Sequence, residues 1–195
     1  LQETKIRPEL IREVDLGPFK HKVDDGVETR KAAFECLNTL LDCALDRMDI
    51  PALVARVAAG MTDQYDVKLL AHLVIVRLAS LAGVALLEHL DHILVSPLRE
   101  TILTKPKDSA VKQEVERNEE LVRSALRAVA ALSRIPNADH SAPQFKEFMR
   151  TVVLGAEFAD KFREISKEDN SSTDLGFNSV SPSTSPAPEP MEVTK

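Results

Sequence analysis

The chain has 195 residues, 44% of them hydrophobic and only 4% aromatic, with no Trp. Its formal charge of −6 and pI near 5.4 argue against a general phosphate-backbone binder, which normally shows a basic face. With so few aromatic rings, Leu, Val, Ala and Ile are left to fill the core, which suits helix-on-helix packing, and no apolar run approaches the roughly 20 residues that span a membrane.

Nearly every segment to about residue 166 reads as helix. Pro8 suits a first helical turn, Leu10, Ile11 and Val14 make an apolar stripe, and Gly17-Pro18 stops it. Residues 1–17 therefore read as the last helix of a preceding repeat. Leu1 is not an initiator Met and no signal-peptide pattern follows it, so the chain is expected to be a piece of something longer. Asp25 with Glu28 has capping-box form and introduces a long helix through Leu37, Leu40 and Leu41. Asp49 and Pro51 open the next, which ends near Gly60. Asp63 begins another that stops at Gly83. Val84 to Leu103 follows, with Pro97 expected to kink it, and then a charged helix from Ser109 to Ile135. Two shorter helices, near Ala142–Val153 and Ala156–Ile165, complete a helical domain placed at residues 18–166.

The pattern repeats. Arg30, Ala33, Leu37 and Leu40 share their spacing with Lys68, Ala71, Ile75 and Leu78, 38 residues on, and an Asp lies five residues before each set. Val122, Ala125, Val129 and Leu132 make a poorer third copy. Asp before a basic residue, then a small residue and two leucine-like ones, resembles the second helix of a HEAT repeat. The fold expected is all-α, an α-α superhelix of HEAT/armadillo type, a class that commonly serves as a platform for other macromolecules. From residue 167 to 195 the chain is rich in Ser, Pro and acids and poor in large apolar residues, so a disordered tail is expected. Ser181-Pro182 and Ser185-Pro186 are candidate proline-directed phosphorylation sites, and Asn170-Ser171-Ser172 is formally a glycosylation sequon.

Chemistry is sparse. No phosphate loop, nucleophile elbow, dinucleotide-binding Gly pattern or CxxC is present. His89 and His92 share a helical face without the converging carboxylates of a di-metal bundle. His72 lies between apolar neighbours and reads as packed or groove-facing, not as a catalytic base. Cys36 and Cys43, seven residues apart on one helix, sit roughly 10 Å from each other, beyond disulfide reach. Two reduced core thiols fit a cytoplasmic and nuclear setting. No catalytic group, cofactor, metal or small-molecule substrate is assigned. An enzyme using Lys20, His21 and Asp24 or Asp25 is the weakest reading, since nothing visibly completes a site. Charged and polar residues on the second helices are either a solvated face or a partner surface: Arg30, Lys31, Glu35, Asn38 and Asp42 in the first copy, Asp66 and Lys68 in the next, Arg123, Arg127 and Arg134 in the third.

Three stretches carry a family resemblance. "GPFKHKVDDGVETRKAAFECLNTLLD", "YDVKLLAHLVIVRLASL" and "AVKQEVERNEELVRSALRAVAALSRIP" resemble the C-terminal domain of the cullin-associated, neddylation-dissociated proteins, also described as TATA-binding-protein-interacting proteins. The resemblance is strong over residues 1–136 and weaker to about 166. It implies a HEAT superhelix that wraps unneddylated cullin–RING scaffolds, with the C-terminal repeats on the N-terminal region of the cullin. There the family competes with the substrate-receptor adaptor and exchanges receptors on SCF-type ubiquitin ligases, without being an enzyme. Phe19, Lys20, His21, Lys22 and Asp24, at the turn before the first repeat helix, become candidate recognition residues on that basis. The expected partner is a cullin, not nucleic acid or membrane, and the chain is expected to be monomeric. The alternative is a transcription-linked domain that binds the TATA-binding protein.

Overall fold

The computed structural model describes residues 1–17 and 19–174. Two 3-10 turns, Gln2–Thr4 and Pro8–Leu10, lead into strands β1 (Ile11–Leu16) and β2 (Phe19–Asp24). Helices follow: α1 (Val27–Cys43), α2 (Ile50–Gly60), α3 (Tyr65–His89), α4 (Val95–Leu103), α5 (Lys112–Ser133), α6 (Ala138–Ser141), α7 (Pro143–Phe148) and α8 (Ala159–Asp174). Helices stack in two layers as a HEAT-like solenoid. α1, α3, α5 and α8 adjoin in that order, while α2 backs α3, α4 backs α5, and α7 packs on α4.

α1 and α3 run parallel. Lys31 meets Asp66 and Asp42 meets Arg77, the same sequence offset at both rungs. One core runs beneath the layer, from Phe34, Leu37 and Leu41 through Leu53, Val57, Ala71, Ile75 and Leu78 to Leu126, Val129 and Leu132. It continues into Phe145, Phe148, Phe158 and Phe162. Five of the seven phenylalanines are thus core residues, so the scarce rings are concentrated where helices are short and each must bury much area. Gly60 is needed for close approach: a Cβ there would lie 2.4 Å from the Phe34 ring.

The helix expected over the first 17 residues is not formed. β1 and β2 make an antiparallel hairpin, in register from Ile11 with Asp24 to Leu16 with Phe19. Gly17 turns the chain at φ 69, the left-handed value that tight hairpin loops demand. The register places Val14 and Val23 on one face, and Glu13, Asp15, Lys20 and Lys22 on the other. That two-residue alternation, with opposite charges across the strands, outweighs the three-residue stripe of Leu10, Ile11 and Val14.

Other boundaries also move. Gly83 does not end its helix; α3 kinks at Ala82 (φ −139, ψ 36) and runs on to His89. A π-helical turn at Leu90–Leu94 then leads into α4, and Pro97 sits in the first turn of α4 without breaking it. Tyr65–Leu103 is, by length and composition, apolar enough to cross a membrane, with an 18-residue window of mean hydropathy 2.1. The run was missed because single polar residues such as His72, Arg77 and Ser80 interrupt it. In the fold α3 lies between α1, α2 and α5, with Val67, Ala71, Val74, Ile75 and Leu78 buried, as the central helix of a solenoid. α8 continues through residues 167–174, where the tail was expected to begin. The rest of that tail, with Ser181 and Ser185, lies outside the described residues.

Candidate protein-interaction face

Asp49 caps α2 as its position implies, its carboxylate accepting the Ala52 N–H at 3.1 Å. Asp25 does not cap α1. It pairs with Arg12 across the hairpin at 2.6 Å, and the guanidinium holds its carboxyl below the usual range. The neighbouring Asp24 takes the structural duty. It accepts the Gly26 N–H at 2.9 Å and the Arg30 guanidinium at 2.7 Å, and the Arg30 bond lowers its pKa. Arg30 is 1% exposed and also bonds Asp63 through Nε, 2.7 Å, and Nη2, 2.8 Å. A charge buried this way needs such partners. Asp63 therefore serves the preceding repeat instead of capping α3.

This cluster roots the hairpin. Beyond its root, β1 and β2 pack chiefly on each other. Phe19 opens β2; Lys20, His21 and Lys22 follow it with exposed side chains. Lys20 is 3.9 Å from Glu13. Lys22 and Asp24 border an open cavity of about 450 Å³ shared with Ile6, Ile11, Thr62 and Asp63. His21 has no catalytic partner among the described residues.

The second group of expected residues lies along the α1–α3–α5 layer. Lys31, half-buried, joins Glu28 and Asp66, and the Glu28 bond raises its pKa. Glu35 and Asp42 are exposed, the latter pairing with Arg77, and Asn38 is half-buried. Lys68 is half-buried one turn from His72. Tyr65 bonds Glu120 and stacks under Arg117, 5.2 Å from its ring centroid. Burial and then Glu120 push the phenol up to about 12. Arg123 and Arg127 do not face open solvent alone: they meet Glu168 and Asp169 of α8.

His72 is packed, fully buried, with Nδ1 3.2 Å from the Ser124 hydroxyl, and burial lowers its pKa to about 4. Cys36 and Cys43 are free and exposed, not core thiols, because they fall on the outer face of α1. Among the described residues no group of three or more His, Cys, Asp or Glu could hold a metal.

Sequence reasoning missed the apolar part of this face. Leu40 of α1, part of the repeat's leucine pattern, and Leu73 of α3 are 36% and 45% exposed, and Leu81 and Val84 farther along α3 are exposed as well. The available signal was α3 itself, which is apolar all round although a surface helix needs only one apolar stripe.

The sequence pattern of the family described as "TATA-binding protein interacting (TIP20)" matches residues 1–153. Cullin-associated NEDD8-dissociated protein 1 of Dictyostelium discoideum is 54% identical over 169 residues, covering 86% of this chain and 14% of that protein. The protein of the same name from Drosophila melanogaster is 48% identical over 85% of the chain and 13% of its own length. Cullin-associated NEDD8-dissociated protein 1, C-terminal part, of Emericella nidulans is 38% identical over 86% of the chain and 16% of its own length. The chain thus spans about a seventh of the length of these relatives. It belongs to the cullin-associated NEDD8-dissociated protein family.

Proposed function

We propose that this chain is the cullin-binding end of a non-enzymatic regulator. It seats on the N-terminal region of an unneddylated cullin within a cullin–RING complex and promotes exchange of substrate-receptor adaptors, and so assembly of SCF-type ligases. The observation that carries the reading is the hairpin, a charged two-stranded element held at its root by Arg30 and otherwise packed on itself. Recognition is assigned to Phe19, Lys20, His21 and Lys22 on β2, with Asp24 setting their position. The layer adds Lys31, Glu35, Asn38 and Asp42 of α1, Asp66 and Lys68 of α3, and Arg123 and Arg127 of α5. The names of the relatives support the partner class. Exposed thiols suit a cytoplasmic and nuclear setting.

The description of the family favours a second reading, binding of the TATA-binding protein. A pull-down with immobilised cullin N-terminal domain, cullin C-terminal domain and TATA-binding protein separates them. Retention on the cullin N-terminal domain is expected. Retention on the TATA-binding protein alone moves the assignment to the second reading, and retention on the cullin C-terminal domain alone refutes the first.

A further inference from the structure

α8 is made of two unlike halves. Its first turns are held by apolar contact, with Phe162 and Ile165 buried against the core. Residues 166–174, SKEDNSSTD, contain no apolar side chain at all. A short polar helix of this kind is marginal in water without tertiary support.

The support is ionic. Arg123 and Arg127 project from one side of α5, and Arg134 caps its C-terminal end at a spacing that returns to the same face. Arg123 grips Glu168 at 2.7 Å, and Arg127 lies 3.6 Å from Glu168 and 3.2 Å from Asp169. Arg134 reaches Asp169 at 3.8 Å and the Ser166 carbonyl at 3.5 Å. All three guanidinium side chains remain more than two-fifths exposed. The Glu168 pairs are exposed on both sides, and such pairs hold weakly one by one and are screened by salt; Asp169 is partly buried, its side chain 20% exposed. The end of α8 is therefore a strap that can leave without disturbing the apolar core.

We infer that the arginine face formed by Arg123 and Arg127 of α5 and by Arg134 at its C-cap is a binding site for an acidic protein segment, occupied in this chain by its own α8 and open to an acidic segment of another protein when the strap lifts. The chemistry of the occupant is read from the one that sits there: neighbouring carboxylates like those of Glu168 and Asp169. The planar forks of three arginines suit carboxylate pairs. The net charge of −6 disfavours the other polyanion such a stripe could take, a nucleic acid. Competition between the strap and an incoming segment would then lower apparent affinity by the fraction of molecules that are closed. Arg123 and Arg127 are shared with the cullin-recognition layer proposed above, but the inference does not rest on that reading, since the reference occupant belongs to the chain itself.

Hydrogen exchange at residues 166–174 of the full chain tests it, with poly-L-glutamate as the acidic probe and an oligothymidylate as the nucleic-acid probe. In the wild type, poly-L-glutamate is expected to accelerate exchange at 166–174 while α5 stays protected. Glu168→Ala with Asp169→Ala is expected to show the same acceleration without probe and to bind poly-L-glutamate about tenfold more tightly than wild type. Arg123→Ala, Arg127→Ala and Arg134→Ala together are expected to abolish that binding. The swap Arg123→Glu, Arg127→Glu, Glu168→Arg, Asp169→Arg is expected to restore protection, which a merely structural effect of the alanines would not do. Equal probe affinity in wild type and the Glu168/Asp169 variant overturns the inference. So does binding that survives loss of the arginines, or tighter binding of oligothymidylate than of poly-L-glutamate.

Discussion

Arg30 of α1 and Asp63, in the α2–α3 turn, are 33 positions apart in sequence and 2.7 Å apart in space. Asp24, at the end of β2, bonds the same guanidinium from the other side. One buried cation thus ties the hairpin to two successive repeats, and the direction in which the hairpin leaves the solenoid depends on it.

Replacing Arg30 leaves two carboxylates with little solvent and no counter-charge. Arg30→Met is expected to cost about 3 kcal/mol of stability, read by urea unfolding. Adding Asp63→Asn to it is expected to recover part of the loss, a coupling that a double-mutant cycle measures. Additive losses would show that the two side chains do not act as a pair.

Gly60 faces the Phe34 ring with no room for a methyl group. Gly60→Ala is expected to destabilise by about 1–3 kcal/mol through overpacking. In a Phe34→Leu background the same substitution is expected to cost clearly less. An equal cost in both backgrounds would mean the strain comes from somewhere other than the ring.

His72 is neutral in the folded chain, held down to about 4 by burial and by Lys68 on its own helix. From α5 the polar group that meets it is the Ser124 hydroxyl. An unfolded histidine titrates near 6.5, so as pH falls the unfolded chain takes up the proton first. The stability His72 contributes is therefore complete above about pH 6.5 and declines towards pH 4, by about 3 kcal/mol in all. His72→Gln is expected to flatten the difference in urea midpoint across that window. A slope unchanged in the variant would assign the pH dependence to other groups.

Asp91 lies in the π-helical turn and accepts the Gln144 and Phe145 N–H groups at 3.0 and 2.8 Å, capping α7 from a distant part of the chain. Asp91→Ala is expected to cost about 1 kcal/mol and to raise amide exchange first in α7. Exchange that rises evenly along the chain instead would argue against a local cap.

The helices were legible in the sequence because their signals are local. Asp49 and Pro51 announce α2, and the shared spacing of Arg30, Leu37, Lys68 and Ile75 announces stacked repeats. What was not legible depends on partners far along the chain. Asp25 and Glu28 have the form of a capping box, yet Arg12, brought across by the hairpin, takes the Asp25 carboxylate. Arg30 reads as a surface base until Asp24 and Asp63 are placed beside it. Leu40, in the repeat's leucine pattern, is exposed, since periodicity marks apolar residues without saying which of two layers covers them. The hairpin was hidden by Leu10, Ile11 and Val14, whose spacing fits a helix; the charge alternation of Glu13, Asp15, Lys20 and Lys22 was the better guide.

The central claim is that the hairpin meets the N-terminal region of a cullin. Calorimetric titration of a cullin N-terminal domain with the wild-type chain and with Lys20→Thr, Lys22→Thr tests it most directly, because both lysines are exposed and outside the Arg30 cluster and threonine suits a strand without setting like charges against Glu13 and Asp15. Binding by the wild type, weakened about tenfold or more in the variant with an unchanged urea midpoint, is the predicted result. Equal affinities for the two chains would contradict it.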